Sequence, residues 1–295
     1  MLIASIWHNN GITDSLHPTI LCRERYPMTE NTNTDSSTFC MPSICRKLGL
    51  AAVVTGALMS NASADTIFGL YAGANLWKPE FSGTIGQETN NFDFSSEFNQ
   101  SDADSTSLYV AVEHFIPLVP NAMLRTTPID WRGNSDAATG TLGGTINLNG
   151  DVDATVDIDM TDLTLYYEIL DNWVSLDLGI TARRMDGFVN ARETTTNLTD
   201  TVELDATIPM LYGHARFDLP FSGLALGIRG NAIGYEESNL LDLEAYLHLE
   251  VDLLPAIDFG IQGGLRRLSL DIDDLDNWNS DASLDGAYVG LTLHF

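Results

Sequence analysis

The stretch 284–295 constrains the fold of this chain more than any other. From Ala287 onward, apolar residues occupy every odd position and end at Phe295. A period of two predicts a β-strand with one apolar face, and an apolar strand at a chain terminus is an aggregation hazard in water. We therefore expect the closing strand of an outer-membrane β-barrel, in which the last residues act as the signal read by the barrel-assembly machinery. The residues assigned to that signal are Tyr288, Leu293 and Phe295.

Residues 41–64 have the organisation of a secretory signal peptide. The basic pair Arg46 and Lys47 precedes an apolar run of about a dozen residues, and a small–x–small pattern follows. A transmembrane helix needs roughly 20 apolar residues, so this run is too short to span a bilayer. We expect cleavage between Ala64 and Asp65.

Residues 1–40 are polar and lack periodicity, and we interpret them as a disordered or spurious upstream extension, with Met41 as the true start. All cysteines precede the expected cleavage site. A disulfide, a thiolate metal site and a cysteine nucleophile are therefore not expected in the processed protein. The three cysteines are Cys22, Cys40 and Cys45.

The net negative charge lies entirely in residues 65–295. This part of the chain carries 10 basic and 37 acidic residues, which accounts for the whole net charge of −27. Such a surface repels nucleic acid, so no nucleic-acid partner is expected. The expected partners are outer-membrane lipid and lipopolysaccharide, and the barrel-assembly machinery during biogenesis.

Short alternating segments recur along residues 65–295. The clearest is 242–252, where acids alternate with leucines; a helix would spread those acids around its whole circumference. The pattern predicts ten strands, with eight or twelve left open. The other candidates are 68–76, 105–116, 121–132, 156–170, 174–181, 205–218, 224–235, 256–272 and 284–295.

The connections between these segments alternate in length. Short turns on one end and long loops on the other are typical of up-and-down outer-membrane barrels with periplasmic termini. The expected short turns are 117–120, 171–172, 220–223 and 254–256, with 236–239 as a short exception on the other end. The expected long loops are 79–104, 133–155, 188–204 and 273–283.

Alternation alone does not say which face points outward, because a lipocalin-like barrel or a β-sandwich also alternates. The signal peptide, the terminal aromatic residue and the loop lengths favour the membrane, with the apolar face toward lipid and the charged face inward. Leu241, Leu243, Leu247, Leu249, Val251, Val289, Leu291 and Leu293 are the expected lipid-facing residues. The expected lumen charges are Glu168, Asp177, Arg216, Arg229, Asp242, Glu244, Glu250, Asp252, Asp258 and Arg266, together with Glu113 and Arg183.

Aromatic residues near the strand ends predict interfacial girdles. Arg184 and Arg267 break the apolar face and are expected near the external rim. The expected girdle residues are Trp77, Trp131, Trp173, Phe217, Phe221, Tyr235 and Trp278.

Four stretches carry a family resemblance: 162–179, 208–213, 215–223 and the Gly263-Gly-Leu-Arg266 segment. They resemble a family of proteobacterial outer-membrane β-barrel proteins named for a Gly-Gly feature, whose function is undetermined. The resemblance covers most of residues 65–295. It implies a single outer-membrane barrel and supplies no catalytic motif.

Two candidate chemical sites are weak. His248 with Glu250 and Asp252 on one face suggests part of a lipid or peptide hydrolase, but no nucleophile motif accompanies it. Acidic loops could bind Ca²⁺ or a surface partner, although no EF-hand spacing is present. These acids are Asp151, Asp153, Asp157, Asp159, Asp271, Asp273, Asp274 and Asp276.

The sequence thus predicts an all-β, single up-and-down transmembrane barrel over residues 65–295, in the cell outer membrane. Ten strands enclose too little space for a porin-sized channel, which takes 16–18. We expect a structural or narrow-pore role with a largely salt-bridged polar lumen, no enzymatic activity and no cofactor. The alternatives are an outer-membrane hydrolase with a His/acid cluster at the lumen rim, and a surface adhesin or cation-binding protein.

Overall fold

A computed structural model describes residues 68–87, 92–95, 97–100, 103–141, 148–235, 238–254, 257–275 and 278–295. The expected upstream extension, the signal peptide and its cleavage site at Ala64–Asp65 lie outside these described residues. Among the described residues, no helix has the length and apolar character required to cross a membrane.

The described part of the chain contains ten long strands and two very short ones. Along each long strand, apolar residues recur at alternate positions, which is the two-residue period of a β-strand. In chain order they are β1 (Phe68–Gln87), β2 (Phe92–Asp93), β3 (Asn99–Gln100), β4 (Ser105–His114), β5 (Asn121–Gly140), β6 (Leu148–Leu170), β7 (Val174–Glu193), β8 (Thr199–Leu219), β9 (Leu224–Tyr235), β10 (Ser238–Leu254), β11 (Ile257–Leu275) and β12 (Trp278–His294).

The ten long strands form a closed antiparallel barrel. Consecutive strands pair with one another, and β12 returns to pair with β1 from Tyr71↔His294 to Gln87↔Trp278. Closure of the ring pairs each long strand with a neighbour on both sides over at least part of its length, which is the condition for a sheet in lipid. The prediction of a ten-stranded up-and-down barrel is confirmed.

An apolar belt surrounds the end of the barrel that holds Phe68 and Phe295. Leu247 and Leu291, which we predicted to face lipid, are 56% and 63% exposed, and the outward residues beside them are also apolar. A tilted strand needs about 9–11 residues to cross a bilayer, and the belt supplies that length on each strand. Its exposed members include Leu76, Leu108, Val112, Leu163, Leu165, Leu178, Ile180, Leu211, Leu226, Ile228, Leu243, Leu249, Ile261, Leu265 and Val289.

Beyond the belt, the barrel continues well past the length that the membrane requires. β6 has 23 residues and β8 has 21. Together with β5 and β7, they include most of the positions that we had assigned to the loops 133–155 and 188–204. That prediction was wrong, because polar outward residues on a strand produce the same low hydropathy as a loop. We name this second half the extracellular half, because the end that holds Phe68 and Phe295 is the one we expect to be periplasmic.

The two faces of the sheet exchange character in the extracellular half. There the outer wall is charged and the inner face is apolar, so the rule that apolar side chains face outward holds only within the belt. Arg184, predicted near the rim, lies on this outer wall and forms ion pairs with Asp186 at 3.1 Å and Asp205 at 3.6 Å. Arg267 likewise lies outside, 3.6 Å from Asp285.

The segment predicted as the loop 79–104 contributes to the interior. Strand β4 stops at Ser105, and in its place β3 pairs with β5 while β2 pairs with β1. Aromatic rings of this segment pack inside the barrel, with Phe94 4.8 Å from Phe81 and 5.4 Å from Trp131 between centroids. The rings fill the space that a longer β4 would have enclosed.

The predicted aromatic girdle is only partly correct. Trp173, Phe217 and Phe221 are exposed at the periplasmic end, and the rings of Trp173 and Phe217 lie 5.4 Å apart. Trp77 and Trp131 are buried inside the barrel instead, because their positions share the inward parity of their strands. The side chains of Tyr235 and Trp278 lie outside the described residues.

Candidate functional site

Seven charged side chains meet inside the barrel at the level where the belt ends. They come from the inward positions of six strands, and each is at least nine-tenths buried. We name this group the ion-pair plug. Its members are Arg125 on β5, Asp162 on β6, Arg183 on β7, Arg229 on β9, Asp242 and Glu244 on β10, and Arg266 on β11.

Asp242 joins two arginines on one side of the plug. Arg266 donates from Nε and Nη2 to the two oxygens of Asp242, at 2.9 and 2.8 Å. Arg183 donates from Nη2 to Asp242 Oδ2 at 2.6 Å and holds Asp162 in a bidentate pair, with both bonds at 2.7 Å. Bidentate pairing fixes the plane of each guanidinium as well as its position.

Glu244 joins opposite walls of the barrel. Arg229 donates to Glu244 Oε2 at 2.6 Å, and Arg125 pairs with Glu244 Oε1 from the other side. The strands that carry Arg125 and Glu244 are five positions apart in the ring of ten, so this contact spans the full diameter of the lumen. Ser107 accepts a further hydrogen bond from Arg125 Nε at 2.8 Å.

Aromatic rings surround the plug and complete its packing. The guanidinium of Arg266 lies 4.6 Å from the ring centroid of Trp77, and that of Arg229 lies 5.7 Å from Tyr109. Such contacts favour a cation that has been removed from water. Burying charge is costly unless it is paired and hydrogen-bonded. Every member of the plug has an ion-pair partner, and Arg183 Nη1 is buried without a hydrogen bond.

Inward tyrosines lie opposite glycines below the plug. Tyr246 faces Gly227 on β9 and Gly264 on β11, and Tyr288 also faces Gly264, from β12. A Cβ at Gly264 would lie 2.2 Å from the backbone oxygen of Ala245. The missing side chains leave the narrow lumen enough room for the tyrosine rings.

The predicted lumen charges separate into two levels. Arg183, Arg229, Asp242, Glu244 and Arg266 lie in the plug, and Asp177 is buried nearer the periplasmic end. Sequence reasoning did not single out Arg125 and Asp162, although each shares the inward parity of its strand. Glu113, Glu168, Arg216, Glu250 and Asp258 line a periplasmic cavity, while the side chain of Asp252 lies outside the described residues.

The periplasmic cavity has a volume of about 350 Å³ and a polar lining. His214 lies between Asp177, 2.8 Å from Nδ1, and Tyr246, 2.7 Å from Nε2. His248 lies beside Thr292, with 3.0 Å between Nε2 and Oγ1. The histidine of the hydrolase alternative, expected at the lumen rim, therefore lines the cavity at the periplasmic end of the lumen.

An apolar cavity of about 160 Å³ lies on the extracellular side of the plug, and we name it the apolar cup. Nine of the ten long strands line it; β4 is the exception. Its apolar lining comprises Phe81, Ile85, Ile129, Val156, Ile158, Met185, Val189, Val202, Leu204, Ala206, Ile208, Ile233, Leu240, Leu268, Leu270, Ala282 and Leu284. Ser238, Asn239, Asp271 and Ser280 are its polar residues.

The acids considered for Ca²⁺ do not converge. Asp151, Asp153, Asp157 and Asp159 project from the outer face of β6, spaced along the strand and mostly exposed to solvent. Among the residues whose side chains are described, no group of three or more His, Cys, Asp or Glu is placed to hold a metal ion. The side chains of Asp273, Asp274 and Asp276 fall outside that set.

The residues of the expected assembly signal lie at the seam where β12 meets β1. Phe295 N donates to Leu70 O at 3.0 Å, and Leu70 N donates to Phe295 O at 3.2 Å. Tyr288 is buried inside the barrel, whereas Leu293 has the outward parity.

The closed barrel and its apolar belt decide where the chain resides. Only helices and closed barrels satisfy their backbone in lipid, and closed barrels with an apolar exterior are outer-membrane structures. The protein is an outer-membrane β-barrel.

No protein-family model and no curated protein sequence matches this chain. Among solved structures, the barrel is similar to the outer-membrane protease OmpT from Escherichia coli, with a TM-score of 0.46 and 8% identity over 80% of this chain and 99% of that one. It is also similar to the transport unit of the autotransporter AIDA-I from Escherichia coli (TM-score 0.39, 8% identity, 85% of this chain and 96% of that one). The translocator domain of the autotransporter NalP from Neisseria meningitidis gives a TM-score of 0.32 at 12% identity, over 84% of this chain and 94% of that one. At these values the similarities carry no argument about activity.

Proposed function

We propose that this outer-membrane barrel is sealed and does not conduct ions, and that its polar lumen serves a structural role. The observation that carries the proposal is the pairing of Arg125 with Glu244 from opposite walls. A conducting pore keeps its charged groups hydrated around an open path. Here the charges are buried and paired across the centre.

The neighbouring contacts support a complete closure. Arg183 is fully buried between Asp162 and Asp242, and Trp77 packs on Arg266. Of the predicted roles, the structural one agrees with this geometry better than the narrow pore. The absence of enzymatic activity, the family named for a Gly-Gly feature and the assembly-machinery partner stay predictions.

Single-channel recording in planar bilayers tests the proposal. We expect the wild-type protein to give no conductance steps, because no hydrated path passes the plug. Glu244→Ala should produce steps, since it removes the carboxylate between Arg125 and Arg229 and leaves two guanidinium groups that repel each other and attract water.

Glu250→Ala is the matched control, because Glu250 lies on the same strand but is exposed below the plug. It should leave the barrel sealed. Glu244→Gln retains the volume of the side chain and tests the loss of charge alone. Conductance steps in the wild type, or a Glu244→Ala barrel that is folded by heat-modifiable migration yet silent, would contradict the proposal.

A further inference from the structure

The apolar cup has the size and lining of a site for a small hydrocarbon. An engineered apolar cavity of about 150 Å³ in another protein stays dry and binds benzene or xenon. The cup measures about 160 Å³ and has an almost entirely aliphatic lining with Phe81 at one side. Unfilled apolar volume of this size lowers the stability of a folded protein, so an apolar occupant would stabilise the barrel.

The cup is bounded below and at its sides by features that select a small ligand. Its floor is the ion-pair plug: Leu240 in the cup and Asp242 in the plug are consecutive inward positions of β10. Leu268 and Arg266 have the same relation on β11. A molecule in the cup therefore contacts aliphatic groups around it and cannot pass toward the periplasm.

The wall of the barrel separates the cup from membrane lipid. The cup lies in the extracellular half, where the outer wall carries Asp157, Asp159, Asp186 and Asp205. Acyl chains of the bilayer contact the belt below this level. The negative exterior also disfavours the approach of anionic amphiphiles, so a neutral molecule from the medium fits the site better than a fatty acid or a lipid.

We propose that the apolar cup binds a free, neutral hydrocarbon of about the size of one aromatic ring. This binding does not depend on whether the plug conducts. The apolar residues of the lining contact the ligand. The ion-pair plug forms a charged floor, so a hydrocarbon cannot leave the cup toward the periplasm.

Methionine methyl groups give a readout of occupancy at two levels of the barrel. Met185 lines the cup, whereas Met123 lines the periplasmic cavity. Protein labelled with ¹³C at methionine methyl groups, in lipid nanodiscs, would be titrated with toluene. We expect a saturable chemical-shift change at Met185 with none at Met123.

Ala206→Phe should abolish this change or weaken the apparent affinity at least tenfold, because the ring occupies the cup. Ala206 is buried and lines the cavity. The matched control is Ala182→Phe, which places the same ring on the outer face of β7 and should bind as the wild type does. If the phenylalanine variant fails to fold, Ala206→Leu can replace it, because leucine is smaller and fills part of the same volume.

Three outcomes of the toluene titrations would overturn the proposal: no saturable change at Met185 in the wild type, equal changes at Met185 and Met123, or unchanged affinity in a folded Ala206 variant. The first would mean that the cup is closed to toluene or filled by another part of the chain. The second would mean partition of toluene into the barrel and lipid without a site. Decanoate, titrated in parallel, separates the neutral ligand from an acyl source; tighter binding of decanoate than toluene would also contradict the proposal.

Discussion

Gly263 and Gly264 are adjacent in sequence but meet different surroundings. A Cβ at Gly264 would lie 2.2 Å from Ala245 O and 2.9 Å from Tyr246 Cα, both backbone atoms that cannot turn aside. A Cβ at Gly263 would meet only Tyr288 O, at 3.7 Å, which is an ordinary contact. We expect Gly264→Ala to lower the free energy of unfolding by about 1–3 kcal/mol, the usual cost of overpacking.

Gly263→Ala is the control and should leave the stability nearly unchanged. Urea unfolding of the barrel in lipid vesicles, followed by gel migration, measures both variants. Equal effects of the two substitutions would show that the Tyr246–Gly264 approach is looser than the distances indicate. Parity along β11 predicts which glycine points inward, but the close approach depends on the register with β10.

The seam between β1 and β12 allows two roles of Phe295 to be separated. Deletion of Phe295 removes two backbone hydrogen bonds with Leu70 and the aromatic ring together. Phe295→Ala removes only the ring. If the ring is the assembly signal, both variants should reduce the heat-modifiable form in outer-membrane fractions while secretion to the periplasm continues.

Normal assembly of Phe295→Ala together with poor assembly of the deletion would assign the effect to the seam bonds and not to the aromatic residue. Phe295→Tyr keeps both features and should assemble like the wild type.

The elements were largely predictable from sequence, whereas their lengths and the extent of their lipid contact were not. The apolar alternation of 242–252 or 284–295 predicts a strand, and the strand count follows from repeated alternation. Residues 133–155 were assigned to a loop because their outward side chains are polar. Alternation has the same period whether the apolar face meets lipid or an interior, so the exchange of faces above the belt is visible only in three dimensions.

The same limit explains the candidate sites. Parity placed Asp242, Glu244 and Arg266 inside the barrel, but the partners that cross the lumen depend on closure and register. The cup is formed by inward residues from nine strands, and no local motif marks such a set. Trp77 and Trp131 were assigned to the interface because a strand-end tryptophan is typical of it, yet both have inward parity.

At the scale of the whole molecule, the tryptophans report which surfaces meet lipid. Trp173 is 61% exposed at the periplasmic end, whereas Trp131 is 1% exposed inside the extracellular half. In single-tryptophan variants reconstituted with brominated lipid, we expect quenching of Trp173 fluorescence and little quenching of Trp131. Tryptophan fluorescence in the same variants with unbrominated lipid supplies the reference, and strong quenching of Trp131 would contradict the position of the belt.

The acidic outer wall above the belt has a consequence for biogenesis. Before the protein reaches its final position, the carboxylates of β6 must travel from the periplasm through the hydrocarbon layer to the far side. Each ionised group resists that passage, and the resistance grows with bilayer thickness. Unassisted insertion into a thick membrane should therefore be slow, and a catalyst that thins or opens the bilayer locally would remove most of the kinetic barrier.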